Sequence, residues 1–209
     1  LEPAGALILH LGMSGSVRLV DPASAPEKHD HLDLLVDGGA SLRLRDPRRF
    51  GALLYAESPM AHPLIARLGV EPLSAQFDGA RLFALTRGRR CAIKSLLMDA
   101  GLLVGVGNIY ANESLYHAGI HPDTPAGRVT RARCTRLAEA IRHTLERAIE
   151  RGGSTLRDFV DSRGKPGYFQ QDYAVYGRTG APCHACGAPV REMKHGNRAT
   201  FYCPGCQKR

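Results

Sequence analysis

Cys183-x2-Cys186 and Cys203-x2-Cys206 are two CxxC pairs with sixteen residues between them. Two such knuckles place four thiolates around one tetrahedral zinc ion, with Zn–S bonds of about 2.3 Å. Four sulfur ligands leave no open coordination position, so the ion would be structural rather than catalytic. A redox or disulfide reading is the weaker alternative. The first residues show no charged-then-apolar leader, and the other two cysteines, Cys91 and Cys134, stand isolated. The intervening residues can form a β-hairpin, with Pro189-Val190 and Thr200-Phe201-Tyr202 as its arms. Its tip would present Arg198, whose planar fork suits a phosphate. A bare zinc ribbon serves many partners, so the motif alone does not select DNA.

Three further stretches carry possible chemistry. Gly105-Val106-Gly107-Asn108 opens a helix, with Asn108 as a good N-cap. Glycines there permit close backbone approach, and helix N-terminal amides favour phosphate. The same residues also read as an ordinary turn and cap. Met13 in Gly12-Met13-Ser14-Gly15 and Arg48-Arg49-Phe50 in Asp46–Gly51 both occupy turns between strands. An exposed apolar side chain beside arginines can enter a base stack; alternatively each side chain tucks back onto its sheet. His29-Asp30-His31 resembles a metal motif but has no cysteine near it in the sequence, so phosphate binding or a structural hydrogen bond fits better. Lys94 and Lys165 are candidate amine nucleophiles, although most lysines are merely solvated.

The elements that must position these residues follow from the pattern. Ala6–Leu11, Ser16–Val20, His31–Val36, Leu42–Arg45 and Ala52–Ala56 are short apolar or alternating runs separated by Gly, Asp-Pro and Gly-Gly turns. They read as part of an antiparallel sandwich. Helical patterns follow over Pro63–Leu68, Gly79–Thr86, Ala92–Ala100 and Asn108–His117. The strongest begins after Thr130, its natural cap, with Cys134, Leu137, Ala138, Ile141, Leu145, Ala148 and Ile149 on one face. Arg131, Arg133, Arg136, Arg142 and Arg147 fall on the other. The chain of 209 residues carries 28 Lys+Arg against 20 Asp+Glu, a net charge of +8. Gly79–Met98 holds Arg81, Arg87, Arg89, Arg90 and Lys94 with no acid, which reads as an anion-facing surface. The balance suits a polyanion, most simply nucleic acid, or else a merely soluble basic protein. No apolar run approaches the roughly 18 residues of a membrane span.

HLGMSG, PEKHDH, DPRRFG, AIKSLLMD, GVGNIYANESLYHAGIHP, GKPGYF and the four-cysteine hairpin together resemble the formamidopyrimidine-DNA glycosylases of the endonuclease VIII superfamily. The resemblance runs in order over essentially the whole chain. It implies an α+β protein: part of an N-terminal antiparallel β-sandwich (1–70), a helical domain with a helix–two-turns–helix motif (71–173) and a zinc finger (174–209). It implies bacterial base-excision repair in the nucleoid-associated cytoplasm, by a monomer acting on duplex DNA. Oxidised purines such as 8-oxoguanine and formamidopyrimidines would be removed and the strand cut by β,δ-elimination. Met13, Arg48 and Phe50 match the triad that fills the void left by the everted nucleotide. His29, Arg48, Arg89, Asn108 and Arg198 match DNA contacts, and Lys94 a lysine near the lesion. One zinc would be held by Cys183, Cys186, Cys203 and Cys206. Residues 154–176 fall where the family has a loop over the everted base. Arg198 is also linked with proton donation in δ-elimination, although a pKa above about 12 suits phosphate binding better.

The family's chemistry uses an N-terminal proline amine that attacks the sugar C1′, with a neighbouring glutamate and a strand lysine handling protons. The 209 residues do not contain that opening stretch, and Glu2-Pro3 is not it, because it aligns just before HLGMSG. The expectation is therefore a fragment or truncated form that lacks its nucleophile. Such a chain would be a non-catalytic binder of damaged or abasic DNA. A zinc-ribbon protein-interaction module would explain the cysteines but not the Met/Arg/Phe turns.

Overall fold

A computed structural model describes residues 5–12, 14–151 and 173–209. The described residues divide into two compact units, one from 5–66 with 150–151 and one from 67–149 with 173–209.

The first unit is built from strands β1 (Ala6–His10), β2 (Ser16–Val20), β3 (Asp30–Val36), β4 (Ala40–Arg45) and β5 (Ala52–Ala56). β1 pairs antiparallel with β5, and β2-β4-β3 form a three-stranded antiparallel sheet with β4 in the centre. Arg43 of β4 lies between Arg18 and Asp33 across the sheet. Its guanidinium grips Asp33 through two bonds of 2.7 Å and also donates to Ser24 O and Ala25 O. This buried fork ties the β2–β3 connection to the sheet, and the Asp33 carboxylate offsets the repulsion between Arg43 and Arg18 opposite it.

The second unit holds α2 (Gly79–Thr86), α3 (Ile93–Leu97), α4 (Asn108–His117) and α5 (Arg131–Glu150), preceded by the single turn α1 (Pro63–Ala66) of the first unit. Asp78 caps α2 by accepting from Arg81 N, and Thr130 Oγ1 accepts from Arg133 N at the start of α5. The apolar face of α5 buries Cys134, Leu137, Ala138, Ile141, Leu145 and Ala148 against Phe77, Leu82, Ile93, Leu97 and Leu115. Ile149 departs from the expected face and is 66% exposed. The arginine face also differs from expectation. Arg142 donates back to Ser74 O and Phe77 O, and Arg133 donates to Lys208 O, so both brace loops. The cationic run is divided in the same way. Arg87 stacks on Phe83 and donates to Val129 O, whereas Arg81, Arg89 and Arg90 remain exposed.

The last elements are β6 (Arg191–His195) and β7 (Arg198–Tyr202), an antiparallel hairpin turning at Gly196-Asn197. The first arm begins beyond the Pro189-Val190 expected from sequence, because Pro189 instead bridges Pro182 within the knuckle. Gly196 takes φ +57, the left-handed conformation that the first central residue of a type II′ turn reserves for glycine.

Candidate metal centre and nucleic-acid interface

The four cysteine sulfurs lie within 4.8 Å of one another, the metal-ligand group found among the described residues. Cys183 Sγ is 3.8 Å from Cys206 Sγ and Cys186 Sγ is 3.4 Å from Cys203 Sγ. A tetrahedron of Zn–S bonds near 2.3 Å requires sulfurs about 3.8 Å apart, so the donor set fits zinc. Gly205 is required here, since a Cβ on it would meet Cys186 Sγ at 2.8 Å. Around the sulfurs, Val175, Val190 and Phe201 form a small core joined by Tyr116 of α4. The Tyr116 hydroxyl lies 3.4 Å from Cys183 Sγ. Burial and the adjacent thiol raise its pKa, so it stays protonated and can donate to the sulfur. Gln207, buried behind the second knuckle, accepts from Cys203 N and donates to Ile120 O. The metal centre is thereby joined to the loop after α4. His29 and His31 join no such group, and His31 Nε2 lies 3.0 Å from Asp46 O, a structural contact.

Arg198 is exposed at the start of β7 and lines a cleft of about 400 Å³ with Lys94, Ser95, Met98 and His195–Asn197. Lys94 is not the solvated lysine expected from sequence. It is 1% exposed, and its ammonium donates to Ala199 O at 3.0 Å and Thr200 Oγ1 at 2.6 Å. Burial, and then the positive charge of Arg198, lower its pKa to about 8. Asn108 also departs from its expected role. Gly107 is the N-cap, and Asn108, the first helical residue, turns its amide to Ala199 O at 3.1 Å. Lys94, Asn108 and Arg198 thus converge on one strand. Arg89 does not join them; it lies where Gly127 N donates to Arg89 O, away from the cleft lining.

Glu113 is a residue the sequence reading missed. Buried at 1% exposure, its carboxylate accepts from the backbone N–H groups of Ala174, Val175 and Tyr176 at 2.7, 3.0 and 2.8 Å. No sequence signal marks it, because a helical glutamate reads as solvated and its partners lie 61 to 63 residues further on. The expected loop over residues 154–176, Lys165 included, lies mostly outside the described residues.

In the first unit, the turn after β1 meets the turn after β4. A Cβ on Gly12 would lie 2.7 Å from the Phe50 carbonyl carbon, and Gly12 has φ +63. Asp46 shapes the second turn: its carboxylate accepts from Gly51 N, its carbonyl from Arg49 N, and its own N–H donates to His29 O. Arg49 is held at φ +55. This leaves Phe50 60% exposed with the Arg48 guanidinium over its ring, 5.4 Å from the centroid. Of the two sequence alternatives for Phe50, the side chain does not tuck onto the sheet. Met13 is not among the described residues. His29, Arg48 and Phe50 belong to this one corner.

Known proteins match this chain along most of its length. Residues 1–53 match the N-terminal domain of formamidopyrimidine-DNA glycosylase and 68–160 its H2TH domain; 180–209 match the zinc finger found in FPG and IleRS. Formamidopyrimidine-DNA glycosylases of Stutzerimonas stutzeri and Thioalkalivibrio sulfidiphilus are 57% and 58% identical over 205 residues, covering 98% of this chain and 76% of each relative. The crystal structure of the MutM (Fpg) protein of Thermus thermophilus superposes with a TM-score of 0.87 at 42% identity, over 99% of this chain and 77% of that one. The Lactococcus lactis Fpg in complex with DNA containing an abasic site gives 0.88 at 33% identity, over 99% and 76%. By identity, coverage and fold together, the chain belongs to the formamidopyrimidine-DNA glycosylase family.

Proposed function

We propose that the protein is a base-excision-repair DNA glycosylase with AP lyase activity, removing oxidised purines such as 8-oxoguanine and formamidopyrimidines from duplex DNA by β,δ-elimination. The observation that carries this reading is the exposed Phe50 held out beside Arg48 on a turn fixed by Asp46 and Gly12. A phosphate grip alone serves any DNA-binding protein. An apolar wedge flanked by a cation is what extrusion of a base needs, because leaving the stack costs a few kcal/mol that inserted side chains offset. Structures of Lactococcus lactis Fpg with Fapy-dG DNA and of MutM with carbocyclic 8-oxo-G DNA, each 32% identical to this chain, support the substrate class.

In this reading the chain's residues divide the work. Arg198, Asn108, His29 and Arg89 contact the DNA backbone, while Met13, Arg48 and Phe50 fill the space of the everted nucleotide. Lys94 places a positive charge beside the lesion. The Cys183, Cys186, Cys203 and Cys206 thiolates would hold a zinc ion, which supplies rigidity and no open position for chemistry. The cytoplasm is the matching compartment; among the described residues no helix is long and apolar enough to cross a membrane.

The test is incision of an 8-oxoguanine duplex by the full-length gene product, with Phe50→Ala as the diagnostic variant. The expected result is a one-nucleotide gap with phosphates on both sides. Phe50→Ala should lose most incision while keeping its affinity for undamaged duplex. Tight binding to abasic DNA with no incision by the full-length product would replace this reading with that of a non-catalytic binder of damaged DNA.

A further inference from the structure

The outer edge of β7 carries the observations furthest. β6 pairs with one edge of β7, and the other presents Ala199 C=O and Phe201 N–H, which no strand among the described residues takes up. Side chains from α3 and α4 fill that edge instead. Lys94 and Asn108 donate to Ala199 O, and Asn112 Oδ1 accepts from Phe201 N at 2.8 Å. Asn112 is fully buried, and its amide also donates to Asn108 O at 2.6 Å. A buried amide satisfied at both ends bonds in one register only, because a two-residue slip of the strand shifts it by about 6.6–6.8 Å. Arg198 is the residue immediately before Ala199.

We propose that Asn112 is a positioning residue for the Arg198 phosphate contact: it locks β7 onto α4, so that Arg198 presents a fixed donor fork to the DNA backbone. It touches no DNA itself. The inference rests on the reading of Arg198 as a phosphate contact. Its physical content is preorganisation, since donors already held in place lose little freedom when the phosphate arrives. A merely structural asparagine would affect every DNA contact alike. A register lock acts through Arg198 and leaves the wedge corner, which belongs to the first unit, independent.

A double-mutant cycle separates these possibilities, using zinc-loaded protein and a duplex carrying a tetrahydrofuran abasic-site analogue. Arg198→Ala and Asn112→Ala should each weaken binding about 10-fold, a size in keeping with loss of one charge-assisted contact. The double variant should be within about 2-fold of Arg198→Ala alone, whereas Asn112→Ala with Arg48→Ala should multiply. Zinc content and helical circular dichroism should match the parent protein. Should the alanine variant lose zinc or helix, Asn112→Ser keeps a polar group at the site and replaces it in the cycle. Loss of zinc in both variants would assign Asn112 a structural role and overturn the proposal. Multiplicative losses with Arg198→Ala, or unchanged binding in Asn112→Ala, would overturn it while leaving the phosphate contact standing. An Arg198→Ala variant that binds normally would remove the phosphate contact and this inference together.

Discussion

The hairpin that carries Arg198 and the turn that carries Phe50 both hold an exposed side chain outward, yet they are held by different physics. The hairpin is fastened from beneath by four thiolates and along its edge by Lys94, Asn108 and Asn112, all from helices distant in sequence. The Phe50 turn is fastened by its own neighbourhood. Asp46 bonds residues three and five positions on, and Gly12 lets the facing turn approach to contact. A phosphate grip depends on where a charge sits, so it is braced by long-range bonds. A wedge must be exposed to enter a base stack, so only the backbone beneath it can be braced. At Asp46 the second carboxylate oxygen, Oδ1, is buried with no hydrogen-bond partner among the described residues.

The largest expected effect lies at the metal. Structural zinc contributes roughly 10–16 kcal/mol of apparent binding energy in small modules, so Cys203→Ser should lose the ion and with it measurable DNA affinity. Full zinc occupancy by elemental analysis in that variant would show the assignment to be wrong. The wedge corner should respond without touching the metal. Gly12→Ala combines a left-handed backbone with overpacking against Phe50, and together these cost about 2–5 kcal/mol. Its melting temperature and lesion incision should fall while its zinc content stays full. If the variant were as stable and active as the parent, the close approach of the two turns would not matter.

Arg198→Ala should come next, costing about 1–3 kcal/mol of duplex affinity and lowering the salt slope by about one. A salt dependence identical to the parent's is the outcome that rules out a phosphate contact. The smallest effect is the pH response of Lys94. Its pKa of about 8 lies below the value near 10.4 expected in the unfolded chain, so the folded protein gives up this proton first as pH rises. Between those values the unfolded state binds more protons, and the residue's contribution to stability therefore rises with pH. Its charge in the cleft runs the opposite way, present below about 8 and lost above it. Affinity for abasic duplex should accordingly weaken by a few-fold between about pH 7 and 9, and Lys94→Met should flatten that step. A parent and variant with superimposable pH profiles would place Lys94 outside the binding charge.

Where local rules dominate, the chain was legible. Ser16–Val20, Ala52–Ala56 and Gly79–Thr86 fall where alternation, turn residues and an Asp cap put them. The four cysteines needed only their spacing. The differences share a cause, which is that residue type alone assigns polar side chains to water. Lys94, Arg142 and Glu113 instead satisfy backbone groups far along the chain, and periodicity carries no record of a partner 61 to 105 residues away. Asn108 was read as a cap because its type fits one, but tertiary contact drew its amide to Ala199 O.

The sequence by itself determined the metal ligands, the family, the amphipathic α5 and the turns that carry Arg48 and Phe50, because each depends on residue type and short-range spacing. Only the tertiary structure decided that Phe50 stands exposed, that Lys94 is buried with a pKa near 8, and that Asn112 closes the edge of β7. Those properties arise from which groups are excluded from water together. For Lys94 and Asn112 that depends on how α3, α4 and the hairpin pack, and for Phe50 on how the turns after β1 and β4 meet.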